Sequence, residues 1–339
     1  MPRLRRADTN APGWSRRPRG RGFEVLDERG RTVGDAESRL RVKALAIPPA
    51  WQDVWISPDP LGHIQATGTD DAGRLQYRYH DDWQARRSTL KFDDMLDFAR
   101  RLPDVRERVE ADIAGDSLGP ERVLAASVRL LDIGFFRIGC ETYARSNGTY
   151  GLATMRREHV RLRGDVLTFD YPAKSGRRQV RHVIDPDSVD LVRRLKRARH
   201  EHDELFGWRT ADGWRPLRSG DVNEYLKTIT GSSDDSAKCF RTWNATVLAA
   251  VAVAVSGEVA DSVSGRRRAI TRATREVAGY LGNTPAVCRS SYIDPRVFEK
   301  YAAGSTIARV VTSLQDAGDD VLSAVHGPAE RAVLKLLDE

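Results

Sequence analysis

The sequence predicts an α+β protein, in which a small, mostly β N-terminal domain precedes a mainly α-helical domain carrying a three-stranded β-meander. Short apolar stretches at 23–26, 54–57, 63–67 and 75–79 are divided by Gly, Pro and Asp turns, as strands are. From Lys91 the period becomes helical, with Phe92, Met95, Leu96 and Ala99 on one face, and helical patterns continue toward the C-terminus. They are interrupted at 159–163, 166–171 and 179–184, where residue types alternate and Gly164-Asp165 and Lys174-Ser175-Gly176 supply the turns.

At 339 residues the chain exceeds the roughly 100–200 usual for one domain, so two are expected. Residues 1–22, rich in Arg, Pro and Gly, are expected to be a disordered basic arm. Residues 23–90 then form the β-rich domain and 91–339 the helical one, with helices at about 187–205, 219–230, 241–256, 265–281 and 329–338.

The formal net charge is +7, of which the first twenty-two residues supply most, with seven Arg against one acid, Asp8. A polyanionic partner is expected, and because the remainder is nearly neutral its binding surface there must be local. Residues 156–182, 193–199 and 266–275 are the basic stretches that qualify. The longest apolar run, 247–255, has nine residues, about half of what a membrane span needs. The first twenty-two residues lack the apolar core of a secretory signal, so the cytoplasm, in association with the nucleoid, is the expected compartment. Cys140, Cys239 and Cys288 are far apart and lack C-x-x-C spacing, which favours neither a disulfide framework nor a zinc site.

Taken singly, the residues suited to chemistry have ordinary structural roles open to them. Arg137 follows the apolar run 130–136 and fits a partly buried ion pair; Lys174 sits at a turn, where lysine faces solvent. Arg241 begins a helix beside Trp243, on whose face it could pack. Asn283 follows Leu281-Gly282 as a helix-stop residue, and Tyr292 could be a core aromatic.

Their order and surroundings select another reading. Residues 135–152 read FFRIGCETYARSNGTYGL, 172–178 PAKSGRR, 238–243 KCFRTW and 281–295 LGNTPAVCRSSYIDP. This succession resembles the poxvirus and bacterial type IB DNA topoisomerases, in which Arg, Lys, Arg, His or Asn and a nucleophilic Tyr follow one another. In that family the His or Asn stands nine residues before the Tyr, as Asn283 stands before Tyr292. Residues 62–80, GHIQATGTDDAGRLQYRYH, are similar to the family's DNA-clamping N-terminal sheet. The resemblance covers roughly residues 20–310.

It implies the tyrosine recombinase and topoisomerase IB catalytic fold, with Tyr292 as nucleophile forming a 3′-phosphotyrosyl intermediate. Arg137, Lys174, Arg241 and Asn283 would be its catalytic partners, and Lys238 an auxiliary proton relay. Gln76, Tyr77 and Tyr143 would contact DNA. The implied partner is double-stranded DNA, clamped by a monomer that relaxes positive and negative supercoils by strand rotation.

The residue types suit that chemistry. When a protein hydroxyl replaces one ester oxygen of the DNA backbone, the bond energy is kept in a covalent intermediate, so ATP is not needed. A tyrosine with the ordinary pKa near 10 is about 0.1% ionised at neutral pH; it needs a phosphate whose charge is balanced and a leaving oxygen that can be protonated. Arg137 and Arg241 offer forked donors to the non-bridging oxygens, Asn283 adds an amide donor, and Lys174 on its hairpin can give a proton to the departing 5′ oxygen. Neither a clustered acidic set for paired magnesium ions nor a P-loop is present in the sequence, so no metal, nucleotide or other cofactor is expected.

Position 283 holds Asn where poxvirus enzymes place His, and Cys239 stands where relatives often have Asp. Tyrosine recombinases usually present H-x-x-R at the second arginine, whereas this chain has Lys238-Cys239-Phe240-Arg241 behind a β-rich N-terminal domain, which favours the topoisomerase over a recombinase. A non-catalytic duplex-binding protein is the other alternative; that all five catalytic positions carry competent residues weighs against it.

Overall fold

The computed structural model describes residues 3–20, 22–256, 262–316 and 326–338. It divides into two compact units, residues 1–92 and 93–339.

In the first unit, β1 (Trp14–Arg19), β2 (Gly22–Leu26), α1 (Ala36–Ala44), β3 (Gln52–Ile56), β4 (Ile64–Thr69) and β5 (Leu75–Tyr79) follow in order. The strands form one antiparallel sheet in the order β2-β1-β3-β4-β5. Leu45, Val54, Ile56 and Ala66 are its buried core, with Trp14, Val25, Val42, Ile47 and Trp51 packed around them. α1 begins where the Asp35 carboxylate accepts the Ser38 amide at 2.7 Å. From α1, Arg41 reaches the buried Gln65 amide oxygen and the Ser57 carbonyl, both at 2.7 Å.

The basic arm corrects the sequence reading, because residues 14–19 are a strand and earlier ones are bonded to the same unit. Arg5 exchanges backbone bonds with Leu61 and His63, and the Trp55 indole donates to the Ala11 carbonyl at 3.0 Å. Composition overstated the solvation. Trp14 packs on the core, and the Arg16 guanidinium donates to the carbonyls of Ile47, Pro48, Pro49 and Trp51, supplying donors to a Pro-containing turn that has few of its own. Met1, Pro2 and Arg21 lie outside the described residues.

α2 (Asp81–Ile113) contains the division between the units, between Phe92 and Asp93. Then come α3 (Pro120–Gly134), α4 (Glu141–Asn147), β6 (Val160–Arg163), β7 (Val166–Pro172), β8 (Arg178–Val183), α5 (Pro186–Arg197), β9 (Gly207–Thr210) and β10 (Gly213–Pro216). The chain continues through α6 (Ser219–Thr230), α7 (Ala237–Val255), α8 (Val263–Leu281), α9 (Pro285–Ser291), α10 (Pro295–Ala302), α11 (Ala308–Asp316) and α12 (Pro328–Asp338). An α+β fold is what this amounts to, with the expected meander as the antiparallel sheet β6-β7-β8 and a second hairpin, β9-β10, beside it.

α7 is the central element: nearly every residue from Phe240 to Ala254 is buried, and α3, α6, α8, α10, α11 and α12 pack around it. A helix apolar on all sides can be stable only in such a place. Expected to reach about residue 205, α5 ends at Arg197. Arg157 donates to the carbonyls of Leu195, Lys196 and Ala198, which satisfies the acceptors a helix end leaves open and leaves no reason to continue. Among the described residues no helix is long and apolar enough to cross a membrane.

Candidate active site

Arg137 stands in an extended segment that α3 cannot reach by continuing. Phe135 ends α3 in the left-handed region at φ 56°, and Phe136 (1% exposed) is clasped by Phe169 and Tyr171 of β7. The segment then lies against 151–153, with Leu152 and Ala153 amides donating to the Arg137 and Ile138 carbonyls at 2.8 and 2.7 Å. Gly151 makes this approach possible, since a Cβ there would sit 2.4 Å from the Gly139 nitrogen and 2.6 Å from the Arg137 carbonyl oxygen.

Arg241 projects from α7 and is 4% exposed. It donates to the Phe135 carbonyl and, at 2.9 Å, to the Leu281 carbonyl, which fixes the guanidinium between the ends of α3 and α8. Asn283 follows the left-handed Gly282 (φ 63°) that ends α8, and its amide closes the helix on the Ala278 carbonyl at 3.0 Å. Arg137 donates to the Gly282 carbonyl at 3.3 Å and to the Asn283 side-chain oxygen. An arginine has only donors, so the Asn283 oxygen faces it and the amide nitrogen faces away.

Tyr292 lies just beyond α9, where its amide donates to Cys288 at 3.0 Å. Its ring is half-buried and sits 5.4 Å below the Arg241 guanidinium. On its C-terminal side the Thr246 hydroxyl of α7 accepts from the Asp294 amide at 3.1 Å and shares its proton between the Thr242 carbonyl at 2.9 Å and the Tyr292 carbonyl at 3.3 Å. Cys288, one turn earlier, is fully buried; burial pushes its pKa up to about 11 against the pull of Arg241, so it remains a thiol.

The electrostatics are unusual for a protein interior. Burial holds the pKa of Arg241 down to about 10, and Arg137 pushes the same way, while the phenols of Tyr292 and Tyr171 oppose them. Among the described residues neither arginine forms an ion pair, and Arg241 Nε and Asn283 Nδ2 are buried donors with no protein acceptor. The arrangement is therefore a buried cationic corner with donors to spare, which an anion with several oxygens would satisfy. An ion-paired Arg137, the ordinary alternative in sequence, is not what the structure contains.

Arg137, Arg241, Asn283 and Tyr292 are thus brought together from three separate stretches of the sequence. Lys174 and Lys238 are exposed, the former on the Lys174–Gly176 turn between β7 and β8, the latter in the first turn of α7. Tyr143 is exposed on α4. In the first unit Tyr77 is exposed on β5 and stacked on Tyr79, while Gln76 donates to the Asp70 carboxylate at 2.8 Å. Sequence reading missed Tyr171 and Arg181. Tyr171, at the buried end of β7, is a phenol whose pKa burial raises while Arg181, Arg241 and Arg137 pull it back. Arg181 of β8 donates to the Tyr280 carbonyl and so ties the meander to the end of α8. Its odd register on β8 marks it as sharing a face with Gln179, which abuts Gly282; that alternation was the available signal.

The family described as eukaryotic DNA topoisomerase I, catalytic core, matches residues 80–317, and the bacterial DNA topoisomerase IB N-terminal domain matches 22–70. The chain belongs to the type IB DNA topoisomerases. It is 30% identical over 270 residues to DNA topoisomerase 1B of Acanthamoeba polyphaga mimivirus, covering 77% of this chain and 79% of that one. Mitochondrial DNA topoisomerase I of Rattus norvegicus is 26% identical over 213 residues, 60% of this chain and 33% of its own length. DNA topoisomerase 1 of Schizosaccharomyces pombe is 28% identical over 146 residues, 42% and 17% respectively. The topoisomerase therefore spans a third or less of these two longer relatives, and its core match contains all the residues of the cationic corner.

Asn283 in this topoisomerase uses its oxygen toward Arg137 and keeps its nitrogen for an outside acceptor. A neutral imidazole can do both, one nitrogen accepting and the other donating. Asn283→His is accordingly expected to keep plasmid relaxation within about tenfold, a barrier change under about 1.4 kcal/mol. A thousandfold loss in single-turnover cleavage would contradict that account of the position.

Proposed function

We propose that this topoisomerase opens one strand of duplex DNA by transferring a backbone phosphate to Tyr292, lets the duplex rotate, and reseals it. The observation that carries this reading is the cationic corner beside the Tyr292 ring: two guanidiniums without carboxylate partners among the described residues, and buried donors on Arg241 and Asn283 without acceptors. A phosphodiester has the charge and the two non-bridging oxygens to meet them.

In the forward step the Tyr292 oxygen forms a bond to phosphorus, the bond to the 5′ oxygen breaks, and the phenolic proton passes to water. The 5′ oxygen leaves as a hydroxyl, taking a proton from Lys174 once its turn closes on the DNA, with Lys238 as relay. The phosphate stays on the 3′ side as a phosphotyrosine. Arg137 and Arg241 hold the non-bridging oxygens throughout, and Asn283 donates the third bond. Resealing is the reverse, with the 5′ hydroxyl as nucleophile, so the cycle consumes no nucleotide and requires no metal ion. Torque in the DNA drives rotation between the two steps, which relaxes supercoils of either sign. Gln76 and Tyr77 of the first unit, with Tyr143, contact the duplex, and the enzyme works as a monomer.

Plasmid relaxation tests the reading. With EDTA present and ATP absent, positively and negatively supercoiled plasmids are both expected to relax over many turnovers. Relaxation that requires added magnesium or ATP would contradict it, and strand exchange confined to paired sites would indicate a recombinase. Duplex affinity is expected to fall with salt, log K changing with log salt at about −0.9 for each phosphate neutralised. An affinity that stays flat as salt rises would rule out phosphate contacts as its source.

A further inference from the structure

A second buried cluster grips α7 two and three residues beyond Arg241, at Trp243 and Asn244. Arg106 of α2 donates to Glu330 of α12 at 2.7 and 2.9 Å and to Asp132 of α3 at 2.7 and 3.1 Å, and lies 3.1 Å from His326 Nδ1. The Trp243 indole donates to Glu330 Oε1 at 2.6 Å, and the Asn244 amide to the Asp132 carbonyl at 2.7 Å. Trp243 is 1% exposed, Asp132 3% and Glu330 7%. Burial disfavours the Arg106 charge, but Glu330 and Asp132 outweigh that and raise its pKa.

Two links run from this cluster to the active site. Arg241 and Trp243 are two residues apart on α7, about 200° around the helix, so what grips the indole sets the rotation that aims the guanidinium on the opposite side. Asp132 lies in the last turn of α3, whose left-handed exit at Phe135 leads to Arg137 and supplies the carbonyl that Arg241 bonds. Glu330 thus bonds α7 directly, through Trp243, and reaches α3 through Arg106 and Asp132, yet α12 (Pro328–Asp338) lies beyond residues 80–317, the part of the chain matching the family's catalytic core.

We propose that Glu330, from a C-terminal helix outside the matched core, is a positioning residue that acts through Trp243 to orient Arg241. This rests on the reading of Arg241 as a phosphate-holding residue. A buried indole N–H needs an acceptor, and a carboxylate neutralised by Arg106 supplies a strong one of fixed position. Its loss leaves DNA contacts in place but frees α7 to shift, and a misplacement of about 1 Å at the reacting groups can cost about 100-fold in rate.

The test is single-turnover cleavage of a duplex oligonucleotide by the full chain, read as detergent-trapped adduct, alongside duplex affinity and melting temperature. Glu330→Gln and Trp243→Phe are each expected to slow cleavage by about tenfold to 100-fold with affinity within about threefold, and the pair together to slow it no further than the worse single variant. In an Arg241→Ala background Glu330→Gln is expected to change the remaining rate by less than about threefold, while still lowering the melting temperature. A merely structural role predicts the same factor in both backgrounds, and that result would overturn the proposal, as would wild-type cleavage by both single variants. Should Glu330→Gln fail to fold, Trp243→Phe compared in the wild-type and Arg241→Ala backgrounds decides: it removes the indole donor together with some buried ring volume, and only a loss that acts through Arg241 disappears in the second background. A wild-type chain that forms no adduct sinks the reading of Arg241, a failure visible before any variant is made.

Discussion

Tyr292→Phe is expected to abolish the covalent DNA adduct while duplex affinity stays within about threefold of wild type. The substitution removes one oxygen from a half-buried ring whose backbone is fixed independently, by Cys288 at the Tyr292 amide and by Thr246 at the Tyr292 carbonyl and the Asp294 amide. The fold therefore has no reason to change, and of the two arginines proposed to hold the phosphate only Arg241 loses a contact, the phenol that favours its charge. Without that oxygen Cys288, one turn earlier, is no substitute: it is fully buried, with its pKa raised to about 11. The expected fall in cleavage is about 10⁵-fold or more, some 7 kcal/mol, measured as trapped adduct in a single-turnover time course. A Tyr292→Phe protein that still forms an adduct at a tenth of the wild-type rate would remove Tyr292 from the chemistry.

Arg241→Ala is expected to slow cleavage by about 10³-fold, about 4 kcal/mol, the size of effect seen when one preorganised donor to a developing oxyanion is removed. Arg241→Lys restores little of it, because a single ammonium cannot bond the Phe135 and Leu281 carbonyls and still present a second donor to phosphate. The melting temperature gives an independent reading. In the free protein the Arg241 charge is desolvated and repelled by Arg137. Losing two hydrogen bonds is therefore offset by relief of a buried, unpaired charge, and Arg241→Ala is expected to melt close to wild type. A collapse in stability with a small loss in cleavage would mean that the arginine serves the fold and not the phosphate.

Much of this was legible in the sequence. The strands of the first unit and the meander showed because each is bounded by turn residues and alternates cleanly, and α6, α8 and α12 showed because their apolar residues recur at helical spacing. What escaped depended on partners remote in sequence. The strand of residues 14–19 is basic and Pro-containing, so composition suggested an arm; its order comes from the Trp14 contacts and from four carbonyls around residues 47–51 that accept from Arg16. The β9-β10 hairpin carried a usable signal, Asp212-Gly213 between two Trp-Arg pairs, with Gly213 at φ 119°.

The site was legible as a set of residues and not as a geometry. Order and local strings singled out Arg137, Arg241, Asn283 and Tyr292, but only the fold shows Arg137 bonded to Asn283 and Arg241 poised over the Tyr292 ring. Tyr171 and Thr246 were invisible because their places arise from packing: a phenol among cations, and a helix hydroxyl bonded to backbone groups about fifty residues away. Lys174 and Lys238 remain exposed in the free chain, as befits groups whose counter-charge would be the DNA itself.

The central claim, that Tyr292 is the nucleophile and that its cationic neighbours suffice to activate the phosphate, is tested most directly by mapping the adduct. Wild-type protein incubated with a duplex oligonucleotide in EDTA, quenched with detergent and digested with nuclease and protease, should yield one phosphate-bearing peptide. The account predicts that this peptide contains Tyr292, that the phosphate joins it to the 3′ end of the broken strand, and that the other end is a free 5′ hydroxyl. Phosphate on any other residue, or an adduct that forms only when a divalent metal is added, would contradict it.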